Sequence, residues 1–234
     1  MLFRSPWSKI FSFQAAAPAV PSNVAARFQR DARKAVLSWE PGAAGTKPAR
    51  YRIYGSAERG FTAYDQPYIY DAGLDGRKNA PPNLLMETRD AAMSAELPAG
   101  LWRAYYRVAA VDAEGRESGP SDQAELARPL IATSAVPPAT AAAFYQAAVA
   151  VSASIGHLVS ANKDGKPYHM MFRGGDDLEF ELSGAPEGLS IGRKDGVIAG
   201  YLPARAAGKH ELLVKVSSRQ TGAADAVKLT LEVR

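Results

Sequence analysis

The sequence predicts an all-β chain folded as two β-sandwiches in tandem, and three observations point there. Along Tyr105–Val111, Tyr106, Val108 and Ala110 face one way while Tyr105, Arg107 and Ala109 face the other, the period-2 rhythm of a half-buried strand. The closing third repeats that rhythm. Leu178, Phe180 and Leu182 alternate with Glu179 and Glu181, Leu212, Val214 and Val216 with Leu213 and Lys215, and Val227, Leu229, Leu231 and Val233 with Lys228, Thr230 and Glu232. Elsewhere the apolar residues come in short runs punctuated by 20 Gly and 16 Pro, as many short strands separated by turns require. None of these runs is long enough to span a membrane.

Composition bounds the chemistry. A chain of 234 residues with 47% hydrophobic and 22% charged content has room for two ordinary domains and the make-up of a folded protein. The absence of cysteine excludes disulfides, thiolate metal sites and a cysteine nucleophile. The formal charge is +4, but Arg27, Arg30, Arg33, Lys34, Arg50 and Arg52 alternate with apolar or small residues. Such dispersal suits solvated strand faces better than a binding stripe, so nucleic acid is not an expected partner.

Residues 1–20 read as a linker or the tail of an upstream region. Arg4 and Lys9 precede Ile10-Phe11-Ser12-Phe13 and Ala15-Ala16-Ala17, but Ser8, Ser12 and Gln14 interrupt the apolar core that an export signal needs. A degenerate signal is the alternative, and Trp7, Phe11 and Phe13 are candidates to dock on the first domain. That domain spans 21–128. Strands are expected over Val24–Phe28, over Lys34–Trp39 up to Glu40-Pro41-Gly42, and over Ala49–Gly55 with Tyr51 and Ile53 on one face. Trp39 reads as a core anchor. Asp112–Gly115 supplies turn chemistry, and Ser118-Gly119-Pro120-Ser121 interrupts regular structure beyond it.

The long stretch from Ala57 to Glu96 carries Phe61, Tyr64, Tyr68 and Tyr70. Loops of this length are often functional. The plain reading is that these aromatics cover a sheet edge or pack on the neighbouring domain. The sharper one is a sugar-stacking surface, since flat rings with polar rims suit pyranose faces. Asp71, Asp75 and Asn83 come next, without the ligand spacing of a calcium loop.

The second domain, 129–234, begins at Arg128-Pro129 with almost no linker, implying modules held end to end. Leu130-Ile131 reads as an edge strand ended before Pro137-Pro138. Ala141–Val151 is rich in alanine, yet Tyr145, Ala147, Val149 and Val151 alternate, favouring strand with helix as the competitor. A polar excursion runs from Ser152 to Phe172. Gly188 and Gly196 are expected at positive-φ turns, with Val197-Ile198 a short buried strand.

Trp39 followed by Pro41, the run Tyr51-Arg52-Ile53-Tyr54, the Tyr105–Asp112 strand and Ser118-Gly119-Pro120-Ser121 together resemble a fibronectin type III module. One departure is Ala104, with Trp102 nearby, where that family carries a corner tyrosine. In the second half Pro186–Ile191, Gly196–Gly200, Gly208 before His210 and the strand Val227–Val233 resemble a bacterial immunoglobulin-like, cadherin-like module. There Gly200-Tyr201-Leu202-Pro203 runs one residue longer than the usual turn. The resemblances imply two tandem immunoglobulin-like β-sandwiches. They also imply a spacer, adhesion or accessory role in a large exported bacterial protein, at the cell surface, extracellular or periplasmic. Some cadherin-like relatives bind calcium between modules, for which Asp112, Glu114, Asp176 and Asp177 are the candidates here. Six or more oxygen ligands would have to converge.

Catalytic signals are weak. His157, His169 and His210 form no paired metal motif, and no Gly-x-Ser-x-Gly elbow occurs. Arg173-Gly174-Gly175-Asp176 lacks the Lys-Ser/Thr of a phosphate loop. Asp176 with Glu179 or Glu181 could be cast as a glycosidase pair, but the glutamates sit on the polar side of an amphipathic strand. The reading is therefore a non-catalytic structural, adhesion or accessory protein without a cofactor, whose partners are other domains or subunits of an exported assembly. The competitors are a carbohydrate-binding module using Phe61, Tyr64, Tyr68 and Tyr70 on polysaccharide, and a polysaccharide hydrolase.

Overall fold

The computed structural model describes residues 17–71, 77–155, 157–161, 169–173 and 175–234, with backbone alone for 68–71, 77–80, 157–161 and 169–173. The first half lays β1 (Ser22–Gln29), β2 (Lys34–Glu40), β3 (Arg50–Ser56), β4 (Tyr68–Asp71), β5 (Arg77–Ala80), β6 (Leu84–Glu87), β7 (Ser94–Leu97), β8 (Tyr105–Val111) and β9 (Ala124–Glu125) along the chain. One sheet has the order β1-β2-β7 and the other β6-β3-β8-β9, while β4 and β5 form a separate hairpin. Alternate residues of β2, β3 and β8 meet between the sheets: Leu37, Trp39, Tyr51, Ile53, Tyr106, Val108 and Ala110 are all buried in one core. Trp39 packs edge-on against Tyr51 with ring centroids 5.2 Å apart, the anchoring role expected of it.

In β8 the expected register holds, but the strand is not half-buried. Tyr105 and Ala109, on the side away from that core, are closed over by a second, smaller cluster with Tyr54, Phe61 and Ala104. The departure at Ala104 also has a structural answer. Tyr106 itself serves as the corner residue: its hydroxyl accepts the Arg103 backbone N–H and donates to the Leu101 carbonyl. Burial pushes this phenol up to about 12.

The second half continues with β10 (Leu130–Ile131), β11 (Phe144–Ala148), β12 (Val151–Ser152), β13 (His157–Ala161), β14 (His169–Arg173), β15 (Leu178–Ser183), β16 (Leu189–Ile191), β17 (Val197–Tyr201), β18 (Gly208–Ser218) and β19 (Ala224–Val233). Sheets β15-β18-β19 and β11-β17-β16 enclose its core, and β13 and β14 pair as a hairpin within the polar excursion. Tyr145, Ala147 and Val149 point into that core with Phe180, Ile198, Leu212, Val214, Leu229 and Leu231. The alanine-rich segment is therefore strand, because its alternate side chains have a core to enter. Gly188 and Gly196 take φ of 92° and 67°. A Cβ on Gly188 would fall 2.0 Å from the Tyr201 carbonyl, so only glycine lets this turn lie against β17.

Where the halves meet, Leu130 packs into the first core and Ile131 into the second. Two successive residues of one short strand, facing opposite ways, thus belong to different cores.

Candidate functional site

Of the aromatic stretch singled out in the sequence, Phe61 and Tyr64 have described side chains, and both are drawn toward the sheet. Phe61 is only 6% exposed and packs against Tyr54, Tyr105 and Ala109. Arg107 holds it there: its guanidinium stands 5.6 Å from the ring centroid, and its Nε donates to the Phe61 carbonyl at 3.1 Å. A ring so buried has little face to give a sugar. Tyr64 is half-buried, its segment zipped down by Asn83, which accepts the Tyr64 N–H and donates to the Thr62 carbonyl. Tyr68 and Tyr70 lie in β4, where the backbone alone is described. Asp71 ends that strand, and Asp75 lies outside the described residues, as do Trp7, Phe11 and Phe13.

The four carboxylates considered for calcium are each committed elsewhere. Asp112 is buried and accepts from the Thr46 hydroxyl at 2.8 Å, the Glu114 and Arg116 N–H groups, and Arg116 Nε at 2.7 Å. Burial alone would raise its pKa, but the Thr46 and Arg116 hydrogen bonds outweigh that and bring it to about 2. Glu114 pairs with Arg116, and Asp177 pairs with Lys194 and Arg219. Asp176 accepts from Arg128 Nε at 3.1 Å and from the Ser154 N–H at 2.7 Å. Among the described residues no three His, Asp or Glu side chains gather as metal ligands would. Glu179, the imagined glycosidase partner of Asp176, is tied to Arg193, Lys194 and Arg219. Glu181 pairs with Lys215, and the His210 ring nitrogen lies 2.8 Å from the Ala206 carbonyl.

What these commitments build is a double clasp between the halves, which sequence reasoning missed. On one side Arg33, in the β1–β2 turn at φ 47°, reaches Asp225 at the start of β19 with both terminal nitrogens, at 3.0 and 3.4 Å. It also donates to the Ile131 carbonyl, while the Ile131 N–H donates to Asp225 at 2.8 Å. The Asp225 side chain is 4% exposed, and Arg30 approaches it from the rim. On the other side Arg128 stacks 5.0 Å above the Tyr105 ring and donates to its hydroxyl, and Tyr105 bonds Ser154. Asp176, Ser154 and the Ile155 N–H to Ala57 carbonyl bond complete that side. Partners 192 residues apart leave no local signal for a sequence to show.

A second missed feature lies on the outer face of β11 and β17. Phe144 and Tyr201 are register partners, 66% and 59% exposed. The alternation that begins at Tyr145 marks its odd-numbered neighbours as core, so an aromatic at Phe144 on the polar side was the available signal.

No protein-family model matches the chain, and no curated protein matches it. Among solved structures, a Fn3-like protein from Clostridium thermocellum is 21% identical over 50% of this chain and 98% of its own, with a TM-score of 0.29. Drosophila N-cadherin EC1-3 is 11% identical over 94% of this chain and 62% of its own, with a TM-score of 0.33. A Bacteroides fragilis protein assigned as an alpha-galactosidase/melibiase is 15% identical over 45% of this chain, with a TM-score of 0.29, and the chain spans 17% of its length.

Proposed function

We propose that the chain is a non-catalytic accessory element, two sandwiches locked into one rigid body that fixes the spacing of whatever it joins in an exported or cell-surface assembly. The observation that carries this reading is the pair of ion clasps on buried carboxylates, Arg33–Asp225 and Arg128–Asp176, on either side of the 128–131 crossover. A flexible tether has no need of buried charge. Burying Asp225 and Asp176 is costly unless their partners stay in place, so a relative rotation of the halves would strand both carboxylates. No helix among the described residues is long and apolar enough to cross a membrane.

The absence of cysteine makes the test clean, because Lys47→Cys and Thr230→Cys, both at exposed positions, give one label site in each half. Spin-label distance measurements should return a single narrow distribution. Asp225→Ala with Arg128→Ala should broaden it, and Asp225→Ala alone should lower stability by about 2 kcal/mol, through the Ile131 N–H left without its acceptor and Arg33 left without its carboxylate. A broad distribution in the parent chain, or one that ignores both substitutions, refutes the rigid-element reading.

A further inference from the structure

We propose that the outer face of the β11-β17-β16 sheet binds a neutral glycan, with Phe144 and Tyr201 as its stacking platform. Neither residue belongs to the clasps, and the proposal stands apart from the spacer reading.

The argument begins with register. Phe144 pairs with Tyr201 across β11 and β17, so both side chains leave the same face. The opposite face of these strands is given over to the core through Tyr145, Ala147 and Ile198. Of the six large apolar side chains exposed among the described residues, these two are set directly opposite each other. The Tyr201 hydroxyl donates to the Ala142 carbonyl at 2.7 Å, which holds the ring in one place before any ligand arrives.

The neighbouring row is small and polar. Gln146 pairs with Ala199, which pairs in turn with Ser190 on β16, so the three stand in line about 7 Å further along the strands. Gln146 and Ser190 are exposed. Two aromatic faces, then an amide and a hydroxyl beside a side chain as small as alanine, are what a sugar ring needs: an apolar face to cover and hydroxyls to hydrogen-bond.

Charge and area decide between occupants. The next charge along the chain from Tyr201, Arg205, is paired with Glu187, and Arg234, whose carbonyl accepts the Ala141 N–H near Phe144, is paired with Glu232, so each cation already has a partner of opposite charge. That favours a neutral ligand. Two rings of about 200 Å² each, exposed to 66% and 59%, offer about 250 Å² of apolar surface. Each partner of a stable protein pair buries about 800 Å². The patch is the size of a few sugar units and too small to hold a second copy of the chain.

Affinity electrophoresis of the full chain through gels cast with hydroxyethylcellulose, galactomannan, arabinoxylan or laminarin tests the proposal. Retardation is expected in at least one gel, weakened about tenfold or more by Phe144→Ala and by Tyr201→Ala. Tyr201→Phe, which keeps the ring, should retain most of it, and Tyr64→Ala all of it. Unchanged melting of the Phe144 and Tyr201 variants, whose sites are exposed, separates lost binding from lost fold. No retardation in any gel, retardation that survives both alanine variants, or a dimer in sedimentation that Phe144→Ala dissolves would each overturn it.

Discussion

The face of β3 and β8 that turns away from the first core and the face of β11 and β17 that turns away from the second both carry aromatic side chains. In the first, Tyr54 and Tyr105 are 2% exposed because the chain after β3 returns over them with Phe61, Ala63 and, at the start of β6, Leu84. In the second, no segment among the described residues makes such a return, and Phe144 and Tyr201 stand in water. The same kind of residue on the same kind of surface becomes core in one half and bare platform in the other. What differs is whether a neighbouring segment is long enough to come back. An aromatic's role here is set by what covers the sheet, and the rhythm of its own strand does not reveal that.

The sharpest way to break this comparison is to remove one ring from each face. Phe61→Ala should cost about 3 kcal/mol, through a cavity beneath a roof that cannot fully collapse. Phe144→Ala should stay within about 0.5 kcal/mol, as exposed substitutions do. Urea unfolding followed by fluorescence reads the first of these directly, because Trp39 and Trp102 both lie in the first core. Equal losses at the two sites would mean that Phe144 is covered in solution, and the contrast would disappear.

A smaller effect sharpens the contrast by asking what pins the roof at its rim. Arg52 donates to Asp65 at 2.9 Å, Glu87 at 2.6 Å and Glu117 at 2.7 Å, tying the insertion, β6 and the loop after β8 to one guanidinium. The Tyr54 hydroxyl donates to the same Glu117 at 2.6 Å. Burial, then that carboxylate, push the Tyr54 phenol far above its ordinary range. Tyr54→Phe should therefore cost about 1 kcal/mol, one hydrogen bond to a charged group that Arg52 still partly satisfies. The check is the same fluorescence-detected urea midpoint. A neutral or stabilising result would place the roof's strength in Phe61 packing alone.

How much of this was legible in the sequence depends on range. The inward register of β8, β15, β18 and β19 was legible because alternation is a property of neighbours two apart, and the glycine turns at Gly188 and Gly196 because φ is local. The all-β class rests on the same signals. The aromatic insertion was visible as a feature, but the burial of Phe61 was not, because it depends on Arg107 and on strands brought beside it only by folding. The clasps were invisible for the same reason. Arg33 read as one more solvated cation, and Asp225 carried no motif. Phe144 was hidden because the alternation that marks the core begins one residue later. Tyr201 showed only as an extra residue in a turn.

The smallest effect concerns acid, and it separates the halves again. Asp112 ties the turn after β8 to Thr46 and Arg116, and its folded-state pKa, about 2, lies below the ordinary 3.8. A carboxylate with a depressed pKa lends stability that is complete above its unfolded value and drains away as pH falls toward the folded one. Its contribution should therefore be intact above about pH 4 and disappear between there and about pH 2. The contribution belongs to the first half, where Trp39 and Trp102 report. Asp112→Asn keeps an acceptor for the turn's N–H groups but loses the charge facing Arg116. The variant should be less stable at neutral pH, and its fluorescence-detected urea midpoint should fall less steeply than the parent's between pH 4 and pH 2. Parallel acid limbs for the two proteins would show that Asp112 shapes the turn without coupling it to pH, leaving Glu87, whose carboxyl the Arg52 hydrogen bond holds below its ordinary range, to carry acid sensitivity on that side of the molecule.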